Sequence, residues 1–196
     1  MSHYRLLLEW AKDPADVATR AFAGALSVSA GALPRPLGLM DESFRSLLGR
    51  YFPEASNAPE WTTRDMNAGC TALRAEEYDD LVALLLEHRS RDGDETTWLA
   101  SAVAAACLGN DHLWQDLGLA SRDELSALLR DHFGPLFAKN TGNMKWKKFF
   151  YKQLCDRAEV KACAAPSCAV CDDYRVCFGS EDGAAKISTT PVGQVT

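Results

Sequence analysis

The segment WLASAVAAACL, residues 98–108, constrains the fold more than any other part of the sequence. It is apolar all the way around a helix axis, so as a helix it has no face suited to water. Such a helix is stable when neighbouring helices enclose it. The uncharged stretch between Glu95 and Asp111 has 15 residues, fewer than the roughly 20 that a bilayer span needs. We therefore predict a helical bundle around this segment and no membrane span.

The rest of the chain carries helical signals and lacks the alternation typical of strands. These signals predict a mainly α, bundle-like single domain of about six or seven helices over residues 1–160. The predicted helices are one capped by Asp13 with Pro14 at its first position and running to Val28, one over 41–51, one over 71–89, the segment 98–108, one opened by the capping box Ser121–Glu124 and bending at Gly134 and Pro135, and one capped by Asn143.

Composition excludes several classes of protein. The chain has 196 residues with 47% hydrophobic and 24% charged side chains, as expected for one soluble globular domain. Its net charge of -6 argues against a nucleic-acid partner, because a protein that binds phosphates normally has a basic excess. Charged residues directly follow Leu6–Leu8, so no secretory signal is predicted. We expect a cytoplasmic protein.

Cysteines are concentrated near the end of the chain. Of seven, five lie between residues 155 and 177, and disulfides are rare in a reducing cytosol. Four of them, Cys163, Cys168, Cys171 and Cys177, have the spacing C-x4-C-x2-C-x5-C. A bound metal centre would give such a polar loop one defined shape. We predict a metal-cluster loop over 161–179 and a disordered tail over 180–196.

Two kinds of centre compete for these thiolates. A C-x4-C-x2-C run begins the plant-type ferredoxin pattern, in which the fourth cysteine lies much further along the chain. A structural zinc site favours two short knuckles, and only Cys168 and Cys171 form one. The spacing favours iron and sulfur, and zinc remains the alternative.

A basic segment precedes the cysteine motif. Residues 139–161 contain seven Lys or Arg and two Asp or Glu, which leaves the remainder of the chain strongly acidic. Lys145, Lys148 and Lys152 follow helical spacing and share one face. This face, together with Lys147, is either simply solvated or a contact for an oxyanion or an acidic partner.

Three motifs in fixed order resemble the NifQ family. They are ACLGNDHLWQDLGL at 106–119, MKWKKFFYKQLC at 144–155 and the four-cysteine run. The resemblance implies a nitrogen-fixation protein with an iron–sulfur cluster of the 4Fe-4S or 3Fe-4S type that includes molybdenum, written Mo-Fe3-S4. It implies that Cys163, Cys168, Cys171 and Cys177 are the ligands. It also implies molybdate as the metal source, and the NifEN scaffold and NifH as partners in assembling the iron–molybdenum cofactor.

The sequence leaves the molybdenum position open. Our hypothesis is that three cysteines hold iron and the remaining corner holds molybdenum, which must be released. Cys177 follows the longest gap in the motif and could face that corner, with Cys155, Cys107 and His112 as further candidate ligands. No catalytic residue is predicted, since the function is closer to metal donation than to conventional enzymology. The alternative is a helical adaptor with a structural zinc on the same four cysteines.

Overall fold

The chain is mainly helical, as the sequence predicts. The computed structural model describes residues 2–29, 33–57, 72–159, 174–179 and 181, with the backbone alone for 56, 57, 72–74 and 174. These residues form ten α-helices and no strand. The helices are α1 (His3–Glu9), α2 (Val17–Val28), α3 (Asp41–Tyr51), α4 (Ala72–Glu87), α5 (Asp94–Cys107), α6 (Leu113–Asp116), α7 (Arg122–His132), α8 (Gly134–Lys139), α9 (Trp146–Arg157) and α10 (Tyr174–Phe178), with 3-10 turns at Pro36–Gly38 and Pro53–Asn57.

Helix α5 is the central helix of the bundle. All residues from Trp98 to Cys107 are buried, and α2 and α4 both pack against α5. Its many alanines allow those helices to approach closely. None of the helices in the described ranges has the length and apolar character that a bilayer span requires. The prediction that segment 98–108 is the enclosed helix of a bundle is confirmed.

Two predicted helix caps are wrong. Asp16, and not Asp13, caps α2, and its carboxylate accepts the backbone N–H of Thr19 at 2.9 Å. Asp13 accepts the N–H of Ala15 at 3.0 Å, which makes a local turn in place of a helix start. Asn143 lies at φ 54°, in the left-handed region that asparagine tolerates, and α9 begins after Lys145.

Other local predictions hold in part. Ser121 caps α7 by accepting the N–H of Glu124 at 3.2 Å, as predicted. The Glu124 carboxylate does not complete the box, because it binds the N–H of Ala120 and the guanidinium of Arg20. The predicted bend is a complete break, with α7 ending at His132 and α8 beginning at Gly134. Pro135 explains the break, since it has no N–H to continue the helical hydrogen bonds. Helices as short as α1 and α10 have too few turns to show periodicity, so they were not predicted.

Helix α9 is attached to three other helices. Its buried Trp146 donates from Nε1 to Ser126 in α7 at 3.2 Å. Tyr151 donates to Glu77 in α4. Lys147 binds Asp116 at the end of α6 at 2.5 Å. These contacts give α9 a defined place on the bundle.

Gly24 marks the closest approach of two segments. A Cβ at this position of α2 would lie 2.2 Å from the carbonyl carbon of Leu117 and 2.5 Å from the nitrogen of Gly118. Both contacts are backbone, so neither can rotate away. We expect Gly24→Ala to lower the free energy of unfolding by about 2–3 kcal/mol in urea denaturation. Gly49→Ala is the control, because nothing lies near that exposed glycine of α3 and alanine should be neutral or stabilising by about 1 kcal/mol. Equal stability of the two variants would contradict this packing.

Candidate metal centre

The structure describes one of the four predicted cluster ligands. Cys177 lies in α10 and is partly buried. Cys163, Cys168 and Cys171 lie outside the described residues, as does most of the predicted loop 161–179. Within the described ranges, no group of three or more His, Cys, Asp or Glu side chains is arranged to hold a metal ion. The four-cysteine site therefore stays a prediction, and the structure contributes the position of its last member.

Cys177 lies against the start of α9. Its carbonyl oxygen accepts the backbone N–H of Lys145 at 2.8 Å. The neighbouring Phe178 ring lies close to Gly142, where an added Cβ would be 3.2 Å from a ring carbon. The backbone of Cys177 is thus placed at the N-terminal end of the basic helix. We call this contact region, formed by Lys145, Gly142, Cys177 and Phe178, the α10 seat.

Arg122 lies at the centre of the contacts around this seat. Its guanidinium donates to Glu181 at 2.6 Å. It also donates to the side chain and carbonyl of Asn143 at 2.9 and 3.1 Å, and to the carbonyl of Met144 at 2.9 Å. The Glu181 side chain is only 4% exposed, although it falls in the predicted disordered tail, whose residues 182–196 lie outside the described residues. Sequence reasoning missed this pair, because a single glutamate in a polar segment carries no signal of burial.

The segment at 106–119, the first of the three motifs, contacts α9 through the residues around Asp116. We call this region the Asp116 corner. Asp116 is buried and accepts the amine of Lys147 at 2.5 Å and the N–H of Asp111 at 3.2 Å. Lys147 also donates to the carbonyl of Gly109 at 3.0 Å. A Cβ at Gly109 would lie 2.5 Å from the Asp116 carboxylate, so a larger residue here would displace that side chain. The motifs at 106–119 and 144–155 are therefore in direct contact.

The four candidate lysines divide into two groups. Lys147 forms an ion pair with Asp116, and 18% of the Lys147 side chain is exposed. Lys148 and Lys152 are exposed and Lys145 is partly buried, and these three form what we call the basic stripe. Lys152 forms an exposed ion pair with Asp156 at 2.6 Å. The basic stripe, and not Lys147, is the part of α9 that can meet an anion in solution.

Cys155 and Cys177 lie apart along α9. Cys155 is partly buried in the last turn of α9, ten residues beyond Lys145. Ten helical residues span about 15 Å. The Cys177 backbone contacts Lys145, so these two cysteines are placed towards opposite ends of the helix. The described contacts do not bring them together.

The two other candidate ligands have local structural roles. His112 precedes α6, and its backbone N–H donates to the side chain of Gln115 at 3.1 Å. Cys107 is buried in α5, and burial raises the pKa of its thiol to about 12, against a smaller opposing effect of Lys147. A neutral buried thiol is a poor metal ligand, because ligation needs the thiolate.

The raised pKa predicts low reactivity of Cys107. At pH 8 a thiol with a pKa of about 12 has roughly one part in ten thousand in the reactive thiolate form. We expect iodoacetamide to label Cys155 and leave Cys107 unlabelled in the metal-free protein under reducing conditions. Labelling of Cys107 should increase as pH rises, because the thiolate fraction increases. Site-resolved mass spectrometry measures both rates, and equal rates at pH 8 would contradict the burial of Cys107.

A cavity of about 280 Å³ lies beside the Asp116 corner. Its lining includes Ser29, Gly109, Asp111 and Asp116. No Lys or Arg is among the described residues that line it, so they offer no positive charge to an oxyanion such as molybdate.

The described fold and the cysteine motif define a class of protein, an all-α chain with four closely spaced cysteines near its C-terminal end. The NifQ family profile matches residues 17–179, and the chain belongs to the NifQ family. It is 44% identical over 156 residues to Protein NifQ of Azotobacter vinelandii, covering 76% of this chain and 80% of that protein. It is 38% identical over 152 residues to Protein NifQ of Klebsiella pneumoniae, covering 76% of this chain and 89% of that protein.

A further relative is Protein NifQ homolog of Sinorhizobium fredii, 42% identical over 159 residues, with 81% of this chain and 66% of that protein covered. No solved structure matches the chain. The resemblance seen in the sequence is confirmed. Membership of the NifQ family implies a role in nitrogen fixation, in the biosynthesis of the nitrogenase iron–molybdenum cofactor and in molybdenum handling.

Proposed function

We propose that this chain holds a molybdenum–iron–sulfur cluster on Cys163, Cys168, Cys171 and Cys177. It receives molybdenum from molybdate and donates it for synthesis of the iron–molybdenum cofactor. The observation that carries the proposal is the C-x4-C-x2-C-x5-C run in a NifQ family chain, with its last cysteine seated at the start of the basic helix. The protein acts as a metal donor in the cytoplasm, and no conventional catalytic residue is assigned.

The donor chemistry fits such a group. Thiolates are the ligands that iron–sulfur clusters use, and soft sulfur ligands suit reduced molybdenum. When bound, the group supplies sulfide and electrons for replacing the oxygen ligands of molybdate. The hydrogen bond from Lys145 uses the carbonyl of Cys177, which places this cysteine through its backbone.

The basic stripe supplies complementary charge. A thiolate-ligated cluster is anionic, and a nearby ammonium lowers the energy of that charge. Lys145 is the residue whose backbone N–H contacts Cys177, so its side chain starts at the α10 seat. Lys148 and Lys152 extend the positive charge along the exposed face of α9. This surface can attract molybdate or an acidic surface of the NifEN scaffold or NifH.

Metal analysis of anaerobically purified protein tests the proposal. We expect a brown protein that contains iron and acid-labile sulfide, and molybdenum after expression with molybdate. A colourless protein with one zinc per chain and no sulfide would overturn it and support the adaptor alternative, in which the same cysteines hold a structural zinc.

Charge neutralisation tests the basic stripe. We expect the triple variant Lys145→Gln, Lys148→Gln, Lys152→Gln to transfer less molybdenum to NifEN at low salt. The difference from the wild type should shrink at high salt, because salt screens charges on exposed surfaces. The control is Arg5→Gln, Arg35→Gln, Arg45→Gln, which removes the same charge from exposed residues elsewhere. Normal transfer by the lysine variant at low salt would leave these lysines as solvated surface residues.

A further inference from the structure

Helix α10 needs tertiary contacts to hold its shape. It has five residues, and isolated helices shorter than about 12 residues are marginal in water. The position of Cys177 therefore depends on what binds the segments around it. In the described part of the chain, the guanidinium of Arg122 binds Glu181, which follows α10, and Asn143, which precedes α9.

Arg122 joins the two segments that meet at the α10 seat. On one side it binds Asn143 and Met144, which directly precede Lys145. On the other side it binds Glu181, four residues beyond Cys177. The backbone bond between Lys145 and Cys177 lies between these two attachments. The Arg122 side chain thus connects the segment before Lys145 with the segment after Cys177.

The chemistry of this contact requires arginine. The guanidinium has five donors in a rigid plane, and here it serves a carboxylate and three amide-type oxygens at once. A lysine ammonium carries the same charge but has three donors on one nitrogen, so it cannot reach the same acceptors. Little water competes for the contact, because the Arg122 and Glu181 side chains are 18% and 4% exposed.

We propose that Arg122 is a positioning residue for Cys177, which it holds on the α10 seat by clamping Glu181 to the Asn143–Met144 turn. The clamp places one cysteine of the four-cysteine motif through contacts of the protein itself. The proposal rests on the proposed function in one respect, namely that Cys177 is a ligand. It goes further by assigning a role to two residues outside the cysteine motif.

Thiol labelling of the metal-free protein tests the clamp without reference to the cluster. Glu181→Gln removes the charge that Arg122 binds and leaves the bonds of Arg122 to Asn143 and Met144 in place. We expect N-ethylmaleimide to label Cys177 at least about threefold faster in this variant, because a lost charge-assisted bond favours local opening. Arg122→Lys should show the same increase despite keeping the charge. Buried Cys107 reports on the bundle and should label as slowly as in the wild type.

The matched control is Glu124→Gln. Glu124 lies on the same helix as Arg122 and forms a partly buried pair with Arg20, and its carboxylate binds Arg20 and Ala120 and not the α10 seat, so its loss should not change the labelling of Cys177. Unchanged labelling of Cys177 in Glu181→Gln, or an equal increase in Glu124→Gln, would overturn the clamp. Wild-type behaviour of Arg122→Lys would also overturn it, since charge alone would then suffice. If Arg122→Lys unfolds the bundle and exposes Cys107, the labelling rate of Cys177 in Glu181→Gln decides whether the clamp is right.

The loaded protein supplies a second measurement. We expect Glu181→Gln to change the visible absorption spectrum or the ratio of molybdenum to iron. We expect Glu124→Gln to leave both as in the wild type. Failure of the clamp and failure of the proposed function are distinguishable. If Cys177→Ala retains all metals, Cys177 is not a ligand, and labelling still decides whether Arg122 positions it. If Cys177→Ala loses metal and labelling is unchanged, the function stands and the clamp is wrong.

Discussion

Alanine at Cys163, Cys168 or Cys171 is expected to abolish the visible iron–sulfur absorption of the anaerobic protein. Each change removes one thiolate from a set of four within 15 residues, and iron–sulfur clusters are held by such thiolates. We expect iron and sulfide to fall to near zero in each variant. Absorption spectra together with iron, sulfide and molybdenum per chain provide the measurement.

Cys177→Ala is expected to behave differently. If this cysteine faces the molybdenum corner, its loss leaves three iron ligands in place. We therefore expect the variant to retain iron and to lose molybdenum. Cys70→Ala is the control, since it removes a thiol far from the motif in sequence and should keep both metals. Retention of both metals by all four single variants would contradict the ligand assignment.

Asp116→Ala is expected to lower the free energy of unfolding by about 3–4 kcal/mol, because removing one partner of a buried ion pair leaves the other charge uncompensated. The amine of Lys147 would keep only the carbonyl of Gly109 as a partner. The backbone N–H of Asp111 would lose its acceptor as well. Urea denaturation of the metal-free protein measures the change without interference from metal binding.

Asp156→Ala is the matched control for this prediction. It breaks the ion pair of Lys152 on the same helix, where both side chains are about half exposed, so the loss should stay below about 1 kcal/mol. Similar losses for the two variants would show that Asp116 contributes no more than a surface charge. A large loss for Asp116→Ala alone would support a structural role for the motif at 106–119, which then holds α9 and its lysines in place.

Helix predictions succeeded where the signal extends over about three turns of one segment. The segment at 98–108 is apolar on every side and is buried as α5, and α3 spans Asp41–Tyr51 as predicted. Caps were less predictable, because several polar residues compete for the same helix end. Asp13 and Asp16 are both suitable caps in sequence, and only Asp16 accepts an N–H from the first turn of α2.

Asn143 has a sequence position that suits a helix cap, but it has a different role in the structure. Its left-handed backbone and its bonds to Arg122 belong to the turn before α9. Asn140 holds this turn locally, but Arg122 lies 21 residues from Asn143, so no local pattern could identify that contact. The same reasoning applies to the lysines of α9. Spacing placed Lys145, Lys148 and Lys152 on one face, and only the structure showed that Lys147 pairs with Asp116.

By itself, the sequence determined the helical class, the buried central helix, the four-cysteine motif and membership of the NifQ family. These depend on periodicity, spacing and ordered motifs, which are local properties of the chain. The tertiary structure decided which charges are buried and which segments they join. Lys147 meets Asp116 across 31 residues, and Arg122 meets Glu181 across 59. Burial of a charge depends on where distant segments pack. The α10 seat and the Arg122–Glu181 pair are therefore visible only in the tertiary structure.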